Sequence, residues 1–461
     1  MTDRRFVYFF GNGRADGTRE MKTTLGGKGA NLAEMTNIGV PVPPGFTMTC
    51  DLCAIYLRDQ TYPQELRDEV AVNLARLEEV SGKRFGDPEN PLLVSVRSGG
   101  AVSMPGMMET ILNLGLNDIT VEGLARNSGS ARFAFDSYRR FLQMYGDVVL
   151  NVSIQRFEHL LEAKRLTQGV ENDSDLNEAS LRALCEEYKL LVRHAVGQEF
   201  PMDPVEQMWG ATEAVWRSWM LKKAVDYRRV NGIPDDIGTA VNVVAMVFGN
   251  MGDDSGTGVA FTRDPSTGER AFYGEFLINA QGEDVVAGIR TPLRIEHMAE
   301  MLPAAYAELM KTQLVLETHF CDMQDLEFTV ERGKLFLLQT RTGKRTAAAA
   351  LRIARDMVDE QLITPTEAVK RVPAHQLDQL LHPVIDAGQR APVICKGLPA
   401  SPGAASGIAV FDADTAEQRA LRGESVILVR ADGSVVHIHD QSFVTCNPDS
   451  GALRVVGLAE D

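Results

Sequence analysis

The chain has 461 residues, 44% of them hydrophobic and 24% charged, a balance that excludes wholesale disorder, a fibrous repeat or a small scaffold and leaves room for two or three cored domains. Its formal charge of −16, from 47 Lys and Arg against 63 Asp and Glu, repels polyphosphate backbones and anionic lipid, so neither nucleic acid nor a membrane is an expected partner. The opening MTDRRFVYFF is ended by GNGRADG before it reaches the length of a secretory signal, and no apolar run is long enough to cross a bilayer, so a cytoplasmic location is expected.

The first predicted strand covers residues 6–10, and a helix pattern over 29–38 places Leu32, Met35 and Ile38 on one side before PVPPGF ends it. Cys50 and Cys53 form a CxxC with no second pair at metal-site spacing, a weak signal for zinc or redox chemistry beside the ordinary use of Cys as a small buried residue. A second strand, LLVSVRSG, runs into the loop GGAVSMPGMMET, and from there to about residue 236 the pattern is mostly helical. Residues 239–280 switch to apolar runs, VNVVAMVFG, GVAFTR and FYGEFLIN, separated by turn residues as in a meandering sheet. DLEFTV, an ERGK turn and LFLLQTRT read as a hairpin. Helical patterns return over 347–381, and PVICKGLPASPGAASG marks a boundary before a last, small α/β segment.

Three places carry chemistry. LGGKGANLAEM sets Lys28 between glycines before a helix, where backbone N–H groups, the positive helix end and the ammonium can converge on phosphate oxygens. It lacks the longer spacer and GK-Ser/Thr of a Walker A, and a tight surface turn with an incidental lysine fits GGKG equally well. Strand alternation puts Leu93, Ser95 and Arg97 on one face, with the Arg97 guanidinium poised either to clamp phosphate or to make a plain surface ion pair. In the hairpin, Asp325 and Glu327 share one face of the first strand, and Gln339 and Arg341 share one face of the second. Two carboxylates and an amide oxygen suit Mg²⁺ carrying nucleotide phosphates, with an arginine to neutralise the transferred group; the alternative is a solvated polar face. Glu275, Asn279 and Gln281 in GEFLINAQGED add polar groups to a strand that otherwise reads as buried.

The stretches GGKGANLAEMTNIGVPVPPGF, SVRSGGAVSMPGMMETILNLGLND, FGNMGDDSGTGVAFTRDPSTGERAFYGEFLINAQGEDVVAG and DLEFTVERGKLFLLQTRTGKR resemble the ATP-grasp nucleotide-binding domain of the pyruvate, phosphate dikinase family over about residues 5–346. The resemblance implies an α/β (α+β) chain: an ATP-grasp first lobe over 1–117, a helical insertion over 118–236, a second lobe over 237–346, a helical linker over 347–390 and an abbreviated swivelling domain over 391–461. It implies ATP as substrate, catalytic roles for Lys28, Arg97 and Arg341 on the phosphates, and magnesium ligands in Asp325, Glu327 and Gln339. Met246, Glu275 and Gln281 would complete the nucleotide site, with VNVVAMVFG as the hinge along the adenine pocket. Val244 stands where the family is expected to carry a glutamine.

In that family the swivelling domain carries a phosphoryl-accepting histidine, in a GGMTSHAA-like run ahead of its closing strands, and a barrel binds pyruvate or phosphoenolpyruvate. Here SVILVR resembles the strand before that run and SFVTCNPDSGALRVVG the β-turn-β after it, with the part between expected to be missing near residues 430–433. His437 and His439 in GSVVHIHD alternate with Val436 and Ile438 and read as an outer strand face rather than a receiver. The expected function is therefore a dikinase-like, Mg-ATP-using phosphotransferase module acting on an acceptor outside the chain. The alternatives are a nucleotide-binding regulatory or degenerate protein, or the front half of a split dikinase. The partners this admits are ATP, a separate chain carrying a phosphohistidine or pyruvate-binding domain, and a second copy of the chain.

Overall fold

The structure, a computed structural model, describes residues 4–102, 104, 106–282, 284, 290–374, 393–396, 398–399, 407–410, 413–429, 434–437, 443–447 and 452–457. Two antiparallel sheets dominate it. The first has six strands in the order Arg14–Ala15, Val7–Gly11, Gly45–Met48, Thr239–Ala245, Val94–Gly100, Thr110–Leu114. The second has five, in the order Leu293–Arg294, Tyr273–Ile278, Gly256–Phe261, Gln324–Glu331, Lys334–Thr342. The helices between Thr120 and Val230 bury Phe141, Tyr188 and Trp216 in one core with the first sheet's Val94, Val96 and Val241. They thicken that lobe rather than forming a core of their own.

The strand Thr239–Ala245 departs from the expected meander. It lies between Gly45–Met48 and Val94–Gly100 in the first sheet, while Gly256–Phe261 and Tyr273–Ile278 pair in the second. A central strand is covered on both faces and so reads as a continuous apolar run, which hides the sheet it belongs to. Its one polar interior group, Asn242, is fully buried and accepts from the Thr47 hydroxyl at 2.8 Å.

The helix expected over 29–38 starts earlier, at Lys22, and runs to Asn37 across a single residue, Gly26, at φ 67°. Only glycine fits there: a Cβ on Gly26 would lie 1.6 Å from the Gly99 carbonyl oxygen, and one on Gly29 would lie 2.7 Å from Thr47 Cγ2. GGKG is thus a buried seam against the first sheet, not a surface turn. The opposite side of the helix sends Leu32 and Met35 into a second core with Phe276, Leu326 and Phe328 of the second sheet. One helix therefore packs against both sheets.

The hairpin forms as read, around a tight turn whose Arg332 and Gly333 take φ of 49° and 76°. The helices Ala347–Asp359 and Pro365–Arg371 follow. Farther on, Phe443–Asn447 pairs antiparallel with Ala452–Gly457, and Ser434–His437 pairs antiparallel with Val426–Val429, placing His437 opposite Ile427 in register. His439 and the expected gap at 430–433 lie outside the described residues. Among the described residues no helix is long and apolar enough to cross a membrane. Cys50 and Cys53 are buried and free, and burial pushes their thiols up to about 11 and about 12, so neither offers a thiolate near neutral pH.

Candidate functional site

Between the sheets lies a cavity of about 630 Å³ lined by Lys28, Arg97, Met246, Gln281, Glu327 and Arg341 among others. A second, of about 570 Å³, shares Lys28, Thr110, Glu327, Gln339 and Arg341 with it and continues along the backbone of Ser98–Gly100. Three cations and the Glu327 carboxylate line this cleft, from four separate stretches of chain, with Asp325 paired to Arg341 on the wall of a neighbouring cavity, in a molecule that is acidic overall.

The hairpin register makes the acidic side. Asp325 and Arg341 are directly paired, as are Glu327 and Gln339, and the register slips only beyond Glu327. Arg341 Nε donates to Asp325 Oδ2 at 2.5 Å and its terminal nitrogen lies 3.5 Å from Glu327 Oε1, while Gln339 Nε2 donates to that same Glu327 oxygen at 3.0 Å. Asp325 is buried, Glu327 and Gln339 are half-buried, and Arg341 is exposed at the rim.

The basic side faces it from the first lobe. Burial, then the neighbouring Arg97, lowers Lys28 from 10.5 to about 8; Glu327 opposes the shift and Arg341 adds to it. Among the described residues the Lys28 ammonium has no hydrogen-bond or ion-pair partner. Burial likewise lowers Arg97, against the pull of Glu327, and its Nε donates to Ser95 Oγ at 3.1 Å, as their shared strand face allows. A buried lysine beside two arginines, and a buried arginine next to it, is an arrangement that a polyanion relieves.

At the apolar end Met246 and Val247 line the cavity with Val259, Phe328 and Leu338. The Met246 N–H donates to the Leu93 carbonyl at 2.8 Å and the Phe248 N–H to Glu331 Oε2 at 2.7 Å, so this crossing segment is pinned to both lobes. Val244 turns away into the second core and does not line the cavity. Gln281 does line it: its side chain is 6% exposed, its Nε2 donates to Asn250 Oδ1 at 3.3 Å, and its Oε1 is buried without a partner. A buried acceptor left open is a place for a ligand's donor.

Glu275, expected at the nucleotide site, lies outside it. It sits in the row Glu275, Val259, Glu327 across the second sheet, but one strand beyond Val259, with Arg294 as its other neighbour, and it does not line the cleft. Asn279 is exposed, at φ 50°, with its carbonyl held by Arg290. Asn31 and Thr110 also line the cleft, beyond the residues the sequence points to; the i, i+3 spacing of Lys28 and Asn31 is the signal that places the first there.

The donor types are those magnesium takes: Asp325, Glu327 and the Gln339 amide oxygen are hard oxygens side by side on the hairpin, while among the described residues no three His, Cys, Asp or Glu gather to hold a metal by themselves. Mg²⁺ is held in this way, by one or two carboxylates, with phosphate oxygens and water completing six positions.

Two sheets flanking one cleft, with a lysine-bearing helix on one side and an acidic hairpin on the other, define an ATP-grasp-type nucleotide-binding fold. The sequence matches the family described as pyruvate phosphate dikinase, AMP/ATP-binding domain, over residues 22–81, 56–305 and 295–362, and the chain belongs to that family. It is 53% identical over 448 residues to a pyruvate, phosphate dikinase of Rhizobium meliloti, covering 94% of this chain and 50% of that protein. It is 54% identical over 434 residues to that of Clostridium symbiosum, covering 93% and 49%. A chloroplastic relative from Arabidopsis thaliana is 53% identical over 431 residues, 93% of this chain and 45% of its own. The chain thus spans about half the length of the curated relatives it matches.

Proposed function

We propose that the chain is the ATP-binding part of a pyruvate, phosphate dikinase-type phosphotransferase, holding Mg·ATP in the cleft and passing phosphoryl groups to an acceptor outside the residues of the site. The observation that carries this is the facing of Lys28 and Arg97 of the first lobe to Glu327 and Arg341 of the hairpin around one cavity, with Asp325 ion-paired to Arg341 beside it.

The adenine ring lies along Met246 and Val247, on the apolar walls, and the phosphate chain runs toward Lys28. Lys28 and Arg97, desolvated and among the described residues without anionic partners at contact distance, bind the phosphate oxygens. Asp325, Glu327 and Gln339 hold magnesium, which when bound neutralises and orients the phosphate oxygens. Arg341, released in part from the two carboxylates, follows the charge that builds on the transferred group. The protein does little covalent work: it aligns, desolvates and neutralises. Beyond the Asp325–Arg341 pair a further cavity of about 650 Å³, lined by Arg19, Lys22, Lys344 and Arg371, gives an anionic acceptor a basic approach to the same point.

Incubation with Mg²⁺ and ATP labelled at either the β or the γ phosphate, following label and nucleotide product together, tests this. AMP with label on the chain or on an added receiver fits a dikinase part, ADP with label on a small acceptor fits a simple kinase, and binding without any turnover or transfer contradicts the phosphotransferase reading.

A further inference from the structure

Asn31 lies one helical turn beyond Lys28, and its Nδ2 donates to the Thr340 carbonyl oxygen at 2.8 Å across the cleft. Thr340 stands between Gln339 and Arg341. Its own side chain points away from the cleft, buried, with its hydroxyl donating to Gln324 Oε1 at 3.0 Å. The Asn31 bond therefore grips the strand at the peptide that separates the two cleft-facing side chains.

Everything needed to make that bond a spacer is fixed. The helix is seated on the first sheet through Gly26 and Gly29, neither of which has room for a Cβ. One turn past Asn31, His319 Nε2 lies 2.6 Å from Glu34 Oε1, and the Leu337 N–H donates to the Pro41 carbonyl at 2.7 Å. Asparagine in the body of a helix is poorer than alanine by several tenths of a kcal/mol, so a residue there that reaches another lobe does so against local propensity. Asn31 lines the cleft as well, and no charge of its own competes for phosphate.

We infer that Asn31 is a positioning residue for phosphate binding: by holding the Thr340 carbonyl it sets the separation between the Lys28 ammonium and the Gln339–Arg341 edge, so that both grip one phosphate chain. This rests on the nucleotide reading above. The effect belongs to the distal phosphates, because only a ligand long enough to touch both Lys28 and the hairpin feels their spacing.

The test is calorimetric titration of the whole chain with AMP, ADP and ATP in Mg²⁺, for the unaltered protein, Asn31→Ala and Asn31→Asp, with thermal midpoints alongside. The Asn31–Thr340 bond is internal to the protein, so its own contribution, worth on the order of five- to tenfold in an equilibrium constant, sets the scale of its effect on affinity. Asn31→Ala is expected to weaken ATP by that factor, ADP less and AMP by under about twofold, and to have little effect on ATP in a Lys28→Ala background. Asn31→Asp, which sets a carboxylate against the carbonyl, is expected to weaken ATP further. Equal weakening of all three nucleotides, no weakening, or an undiminished effect when Lys28 is absent overturns the positioning role alone. Absence of any ATP binding by the unaltered chain overturns the nucleotide reading and the positioning role with it. Should Asn31→Ala fail to fold, Asn31→Ser, too short to reach Thr340, carries the same comparison.

Discussion

Arg341 donates from Nε to Asp325 Oδ2 at 2.5 Å, directly across the hairpin, where the two residues are register partners. The pair holds one of the two carboxylates proposed for the metal in the grip of the arginine proposed for the phosphate. Metal and nucleotide must therefore divide this pair between them. Asp325→Asn is expected to free Arg341 and make ATP binding nearly independent of Mg²⁺, with affinity in EDTA equal to or above that of the unaltered protein. Titration with and without the metal checks this; a magnesium requirement that survives the substitution contradicts it.

The depressed Lys28 gives a pH signature. Its amine loses its proton as pH rises through about 8, so ATP affinity is expected to fall across that region, and Lys28→Gln is expected to bind ATP more weakly and without that step. The same shift acts oppositely on folding. Between about 8 and the ordinary 10.5 the unfolded chain binds more protons than the folded one, so the stability of the ligand-free protein gains from this group as pH rises through that window. Binding isotherms and denaturant melts at pH 7 through 10 read both trends.

Gln281 separates ligand binding from stability. Among the described residues its Oε1 is buried without a partner, so Gln281→Leu removes an unsatisfied acceptor and is expected to leave the thermal midpoint of the free protein unchanged or slightly raised. The same substitution is expected to cost about tenfold in ATP affinity, from losing the acceptor to which the ligand would donate. A lower midpoint with unchanged affinity would make Gln281 a packing residue.

The glycines of GGKG differ sharply. Gly26 combines φ 67° with the Gly99 carbonyl where its Cβ would be, and Gly26→Ala is expected to cost more than about 3 kcal/mol or prevent folding. A Cβ on Gly27 meets nothing nearer than the Gly100 carbonyl oxygen at 3.5 Å, so Gly27→Ala is expected to fold normally. Thermal unfolding of the two variants decides it.

What the sequence showed and what it concealed follow from the range of each signal. Alternation along a strand is local, so Asp325 with Glu327, Gln339 with Arg341 and Ser95 with Arg97 could all be assigned to shared faces, and the structure brings each pair together. Sheet order is not local. Glu275 has the right face and the wrong strand, two removed from the hairpin, and Thr239–Ala245 belongs to a sheet that the strands following it in sequence do not join. The glycine pair in LGGKG resembled an interruption because propensity cannot show that one left-handed residue lets a helix continue on both sides. Asn31 escaped notice because its partner is a backbone carbonyl 309 residues away, and backbone atoms leave no mark in a sequence.

Titration of the chain with ATP, with and without Mg²⁺, beside Glu327→Gln, puts the central claim to its most direct trial. The unaltered protein is expected to bind a single Mg·ATP, and Glu327→Gln to lose most of the magnesium-dependent part of that affinity while keeping its fold. If the chain binds no ATP, or if Glu327→Gln keeps its full magnesium dependence, then the cleft between Lys28 and the hairpin is not where a magnesium-bound triphosphate is held.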